Sequence, residues 1–157
     1  MEKKSVVAIL NFYKDIDKRI LMNERVIKNL EDQYYDNLKA VNIDGMPHGS
    51  GNTSNPTEQA ALNIPNFVTN TIQNLRQENI TLEKIKAETL QELNTLDYRQ
   101  QSVVFGFYIE GLKWEQISEQ MHYSPRMCRG YRDKGINNLR AKFERNSIIS
   151  KFNFPDS

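Results

Sequence analysis

Apolar side chains at Val6, Ile9, Tyr13, Ile16, Ile20, Ile27, Leu30 and Tyr34 follow one another in steps of three and four, with only Asn23 interrupting the series, and no glycine or proline falls in residues 5–38. That spacing places them on one side of a long helix and gives a coiled-coil-like seam. Asn23 occupies a seam position. It either fixes register or oligomer state, as a buried asparagine can, or lies at the surface where the seam frays. The stretch "NIDGMPHGSGNTSNP" then breaks the pattern with three glycines and two prolines, predicting a loop over residues 42–55 and a helix starting at Pro56. Pro65 is expected to interrupt or restart this second helix. Its stripe of Val68, Ile72, Leu75, Leu82, Ile85, Leu93 and Leu96 runs over residues 66–96. Two such helices bury their stripes either against each other, as an antiparallel hairpin, or between chains.

From Asp97 the texture changes. Val103, Val104, Phe107 and Tyr108 recur at helical spacing and Gly111 offers a C-cap. Trp114, Ile117 and Met121 line a short helix that breaks at His122-Tyr123. Ser124 and Pro125 then form the preferred N-cap and first-turn pair of a last helix, whose Cys128, Tyr131, Gly135 and Leu139 should face its predecessors. The fold class expected is all-α: a helical arm over residues 1–95, a compact trihelical unit over 96–145 and a C-terminal tail over 146–157.

Composition narrows the function. Hydrophobic residues are 38% and charged residues 26% of the 157, with mean hydropathy −0.68; this is lean for a globule and ordinary for long amphipathic helices. One cysteine forms no internal disulfide, and with two histidines it makes a poor zinc site, so a reducing compartment fits and no metal or cofactor is expected. No apolar run reaches the roughly 18 residues of a membrane span, and the apolar stretch before Asn11 is too short for a signal peptide, so the expected location is cytoplasmic, without a membrane partner. The glycine-rich loop lacks the Gly-Lys-Ser/Thr of a phosphate loop. His48 has no carboxylate or nucleophile at a recognisable spacing. With no paired carboxylates, nucleophile–base pair or metal-ligand spacing, catalytic residues are not expected and the chain does not read as an enzyme.

The net charge of +1 hides an asymmetry. Residues 1–123 carry 13 Lys and Arg against 17 Asp and Glu, or −4; residues 124–157 carry 8 against 3, or +5. The surplus sits on the last helix. At 3.6 residues per turn, Arg126, Arg129, Gly130, Asp133 and Asn137 fall opposite its apolar side, with Ser124 at its start and Arg132 and Lys134 on the flanks. Long donors near a helix N-terminus suit base edges, and flanking cations suit phosphates. Gly130 lowers helix propensity by about 1 kcal/mol but permits close approach to a groove. Asp133 either accepts from a cytosine amino group, orients Arg129, or opposes phosphates. The bland alternative is a solvated basic face.

The whole pattern of Leu112 to Arg140, "LKWEQISEQMHYSPRMCRGYRDKGINNLR", resembles the region 4 helix-turn-helix of the sigma-70 family: an apolar-x-x-small helix in "WEQIS", a tight turn, a Ser-started recognition helix and a closing "INNLR". Residues 96–111 are similar to the supporting helices. The family carries glycine in the turn where this chain has His122, alanine at the helix crossing where it has Ser118, and polar residues where it has Pro125 and Gly130. The loop words "MPHGSG" and "NPTEQAA", with "YIEGLKWEQISEQM", are similar to small regulators of Gram-positive phages and prophages, relatives of the ArpU and RinA type late transcriptional regulators. The resemblance implies a phage-encoded, sequence-specific regulator of transcription in the bacterial host cytoplasm, associated with the nucleoid. Its implied partners are double-stranded DNA, host RNA polymerase and a second copy through the helical arm. The alternatives are a DNA-packaging protein of small-terminase type and a polymerase-binding adaptor.

Overall fold

The computed structural model describes residues 1–43 and 56–155. Among these there are five α-helices and no strand: α1 (Lys3–Ile43), α2 (Pro56–Asn94), α3 (Tyr98–Val104), α4 (Trp114–Met121) and α5 (Pro125–Arg145). Helix α1 outlasts its expected end at Leu38 and takes in the first two positions of the expected loop; the rest of that loop, with His48, lies outside the described residues. Helix α2 runs through Pro65 without a break. One proline removes one hydrogen bond, so a helix with long stretches on both sides can bend rather than end there.

The arm helices pair within the chain as a hairpin, and the chain divides into two compact units. In the unit of Lys18–Ile80, Ile27 and Val68 are buried, with Ile20, Leu30, Ile72 and Leu75 half-buried around them. The seam asparagine has a partner here: Asn23 Nδ2 donates to Asn79 Oδ1 at 2.8 Å. That bond favours this register of the two stripes, because a misaligned one would leave two half-buried amides unsatisfied. Arg76 and Glu31 add an exposed ion pair at 3.1 Å, of the kind that contributes at most about 1 kcal/mol.

The other unit gathers Met1–Asp17 and Thr81–Ser157. Both ends of the expected arm, and the tail, thus join residues 96–145 in one core. Val6, Ile9, Leu10, Ile16, Ile85, Leu93, Val103, Ile136, Leu139, Phe143 and Ile149 are all at most 2% exposed. Each such side chain contributes about 1.5–3 kcal/mol, so this core outweighs every surface ion pair. Leu10 and Phe12 are buried although they lie off the seam. For Phe12 the reason is the tail: Phe152 and Phe154 pack on its ring with centroids 5.3 Å away in each case. Asn146 turns the chain into that tail. Its amide donates to Glu88 at 2.8 Å and Glu92 at 3.0 Å, while its carbonyl oxygen accepts from the amides of Ile148 and Ile149 at 3.1 Å each. All four hydrogen-bonding positions of the side chain are filled.

One buried group breaks this economy. The Thr89 hydroxyl, on a side chain with no exposure, has no hydrogen-bond partner among the described residues. Such a group carries its desolvation cost unrelieved. Thr89→Val keeps the shape and removes the hydroxyl, and it should raise unfolding stability by about 1 kcal/mol, read from the urea midpoint. A midpoint that falls would show that the hydroxyl is satisfied.

Helix α3 was expected to continue to a cap at Gly111. Instead it gives way after Val104 to a π-helical turn, Phe105–Ile109, closed by Glu110 N donating to Phe105 O at 3.0 Å and Leu112 N to Gly106 O at 2.9 Å. The wider turn advances the register, so that Gly106 is buried beside Leu112 and Ile117 and the Phe107 ring stacks on Trp114 at 4.5 Å. Gly111 follows at φ +68°, where a side chain would be strained.

Candidate nucleic-acid interface

Helices α4 and α5 are held at a fixed angle by a short, well-bonded turn. Lys113 N donates to the Gln116 carboxamide at 2.9 Å and starts α4. His122 ends it at φ 58°, ψ 34°, in the left-handed region. This is the only non-glycine residue with positive φ among the described residues; it costs on the order of 1–2 kcal/mol, which the surrounding contacts offset. Ser118 proves more than a small residue at the crossing, since its hydroxyl donates to the Tyr123 carbonyl. The Cys128 thiol approaches the same carbonyl at 3.9 Å, and burial pushes that thiol's pKa up. Ser124 then caps α5 by accepting from Met127 N at 3.2 Å, with Pro125 in the first turn.

The inner side of α5 is the one the spacing anticipates. Cys128 and Leu139 are fully buried, Gly135 is buried, and Tyr131 packs on the cluster of Val103, Ile117 and Cys128. Ile136 and Phe143 of the same helix are also fully buried. At Gly135 an added Cβ would stand 2.7 Å from Val104 Cγ2, so glycine is what lets α5 cross α3 this closely.

The outer side divides the candidate residues into two groups. Ser124, Arg126, Arg129, Gly130, Lys134 and Asn137 are exposed along α5. Arg132 and Asp133 are not: both are half-buried. Arg132 Nε donates to Asp133 Oδ1 at 3.1 Å, and its guanidinium lies over Trp114 at 5.1 Å and Phe107 at 5.8 Å. Asp133 also accepts from Lys3 Nζ at 3.2 Å. It does not orient Arg129, as its four-residue spacing suggested; Arg129 instead lies over the Trp114 ring at 5.5 Å. Partial burial would raise the Asp133 pKa, but the hydrogen bonds from Arg132 and Lys3 prevail and hold it below the ordinary value. The carboxylate is therefore charged at neutral pH and neutralised locally by two cations, which removes most of its repulsion toward a polyanion.

Three side chains outside the candidate set shape this surface, and the spacing singles out only Trp114, as a member of the apolar side of α4. Trp114 is the platform for two arginines, Lys3 reaches α5 from the start of α1, and Arg99 of α3 lies over Tyr123 at 5.5 Å and Tyr131 at 6.0 Å. The contacts join residues up to 130 positions apart, so no local pattern announces them. Among the described residues no helix is long and apolar enough to cross a membrane. Comparison of the chain with models of protein families, with curated proteins and with solved structures finds no match in any of the three.

Proposed function

We propose that this protein is a sequence-specific duplex-DNA-binding regulator of transcription, phage-encoded, whose α4–turn–α5 segment acts as a sigma-region-4-like helix-turn-helix. The observation that carries this reading is the exposed face of α5. Arg126, Arg129 and Asn137 surround Gly130 on it, and a Cβ at Gly130 would meet nothing within 4 Å among the described residues. Nothing among the described residues needs a glycine there, yet in a helix interior it costs about 1 kcal/mol relative to alanine. A partner that must approach the backbone closely supplies the reason, and arginines on either side suit base edges and phosphates. The helix that presents them is capped at Ser124 and seated on buried side chains, so little ordering remains to be done on binding.

Two results test this. Gly130→Ala should raise the unfolding free energy by about 1 kcal/mol while weakening DNA binding several-fold, a combination that a merely solvated face would not give. Fragments selected from a random duplex pool should converge on one sequence. The log of affinity for it should fall linearly with log salt, at about 0.9 per phosphate neutralised. No enrichment, together with no binding to duplex at low salt, refutes the reading.

A further inference from the structure

The pairing of α1 with α2 through the seam leaves the opposite side of α1 uncovered by the described residues of the unit of Lys18–Ile80. That side bears Leu21 at 59% and Met22 at 55% exposure, and Met22, Arg25, Val26, Lys28, Asn29 and Asp32 line a shallow groove along it. At 100° per residue, Arg25, Lys28, Asp32 and Asp36 fall on this same side, and Arg25, Lys28, Asp32 and Asp36 are exposed. Their order matters. The N-terminal half of the face is basic at Arg25 and Lys28, and the C-terminal half is acidic at Asp32 and Asp36. Lys28 and Asp32 stand four residues apart, where a helix would let them pair, yet among the described residues the ion pairs of this unit include Arg76 with Glu31 and none between these two. Glu24 and Glu31 fall on the flank, where Glu31 is already engaged by Arg76.

A helix face that changes sign along its length is complementary to a copy of itself running the other way. We infer that this face of α1, from Leu21 to Asp36, is a homodimer interface in which a second copy of the chain packs antiparallel, Arg25 of each protomer opposite Asp32 of the other. The two-fold axis passes near Lys28 and Asn29, and the arrangement is isologous, as the commonest soluble dimers are. Leu21 and Met22 come under the partner's helix at either end of the overlap and supply the apolar burial; the charges fix direction and register. A parallel pair would set Arg25 against Arg25 and Asp32 against Asp32, which is repulsive. The inference stands apart from the DNA reading, since it needs nothing of α5.

Sedimentation equilibrium of the full chain tests it. The unaltered protein should be a dimer in reversible equilibrium with monomer. A chain carrying Arg25→Asp and Lys28→Asp has an all-acidic face, and one carrying Asp32→Lys and Asp36→Lys an all-basic face. Each alone should dissociate at least tenfold more readily, and an equimolar mixture should recover a heterodimer. Direction is read by disulfide formation: Arg25→Cys protein should cross-link with Asp32→Cys protein and not with itself, because an antiparallel pair sets the two Arg25 positions about 10 Å apart along the axis. A monomer at all concentrations, a closed ring of higher order, a dimer indifferent to both charge reversals, or cross-linking of Arg25→Cys with itself would each overturn the inference.

Discussion

Replacing Arg126 and Arg129 together by alanine should abolish sequence-specific duplex binding while leaving helical content and the unfolding midpoint close to those of the unaltered protein. Both side chains are exposed on α5, and Arg129 lies over the Trp114 ring, 5.5 Å from its centroid. An exposed cation–π contact contributes about 0.5–1 kcal/mol to the fold. A good bidentate contact to a base pair contributes about 1–3 kcal/mol of discrimination. The expected loss in binding therefore exceeds the loss in stability several-fold, and for two such contacts it reaches roughly 30-fold at the low end. Fluorescence anisotropy with the selected duplex at fixed salt, beside circular dichroism and urea unfolding of the same preparations, separates the two quantities. Undiminished affinity in a folded double variant would end the DNA assignment. Arg132→Ala makes the contrast. Its guanidinium joins Trp114, Phe107 and Asp133, so its removal should lower stability by about 1 kcal/mol and reduce binding less than the exposed pair does.

Gly135→Leu should unfold the compact unit of Met1–Asp17 and Thr81–Ser157 or leave it loosely packed. An added Cβ at this position already stands 2.7 Å from Val104 Cγ2 and 3.4 Å from Gln100 Cβ. Val104 is itself fully buried, and a β-branched side chain in a helix has one strongly preferred rotamer, so it cannot swing aside cheaply. Alanine gains about 1 kcal/mol of helix propensity and meets about 1–3 kcal/mol of overpacking, for a modest net loss. Leucine adds three more carbons to the same crossing, and its loss should exceed about 3 kcal/mol. Urea unfolding followed through the single tryptophan, Trp114, reads both. Gly130→Leu is the control, since among the described residues a Cβ added there meets nothing within 4 Å, and the fold should accept it. Equal stability of the two leucine variants would mean that α3 and α5 do not cross as described.

Much of the architecture was legible along the chain because a helix is a local object. The three-and-four spacing of Val6, Ile9, Ile16 and Ile27 states which side of α1 is apolar, and those residues are buried. The order Ser124-Pro125 states where α5 begins, and Ser124 does accept from Met127 N. The faces of α5 follow from the same arithmetic: Cys128, Gly135 and Leu139 inward, Arg126 and Arg129 outward.

Periodicity tells which residues share a side and is silent on what meets that side. Only the tertiary structure chose Asn79 as the partner of Asn23, drew Phe152 and Phe154 onto Phe12, and inserted the π-helical turn that stacks Phe107 on Trp114. It also separated the two flanking cations of α5, which spacing treats alike: Lys134 is exposed, whereas Arg132 is half-buried over the Trp114 ring. The physical reason is one of range. Hydrogen bonding and the 3.6-residue turn act between neighbours in sequence, whereas a ring beneath a guanidinium, or Lys3 beside Asp133, is brought there by the collapse of segments distant in the chain.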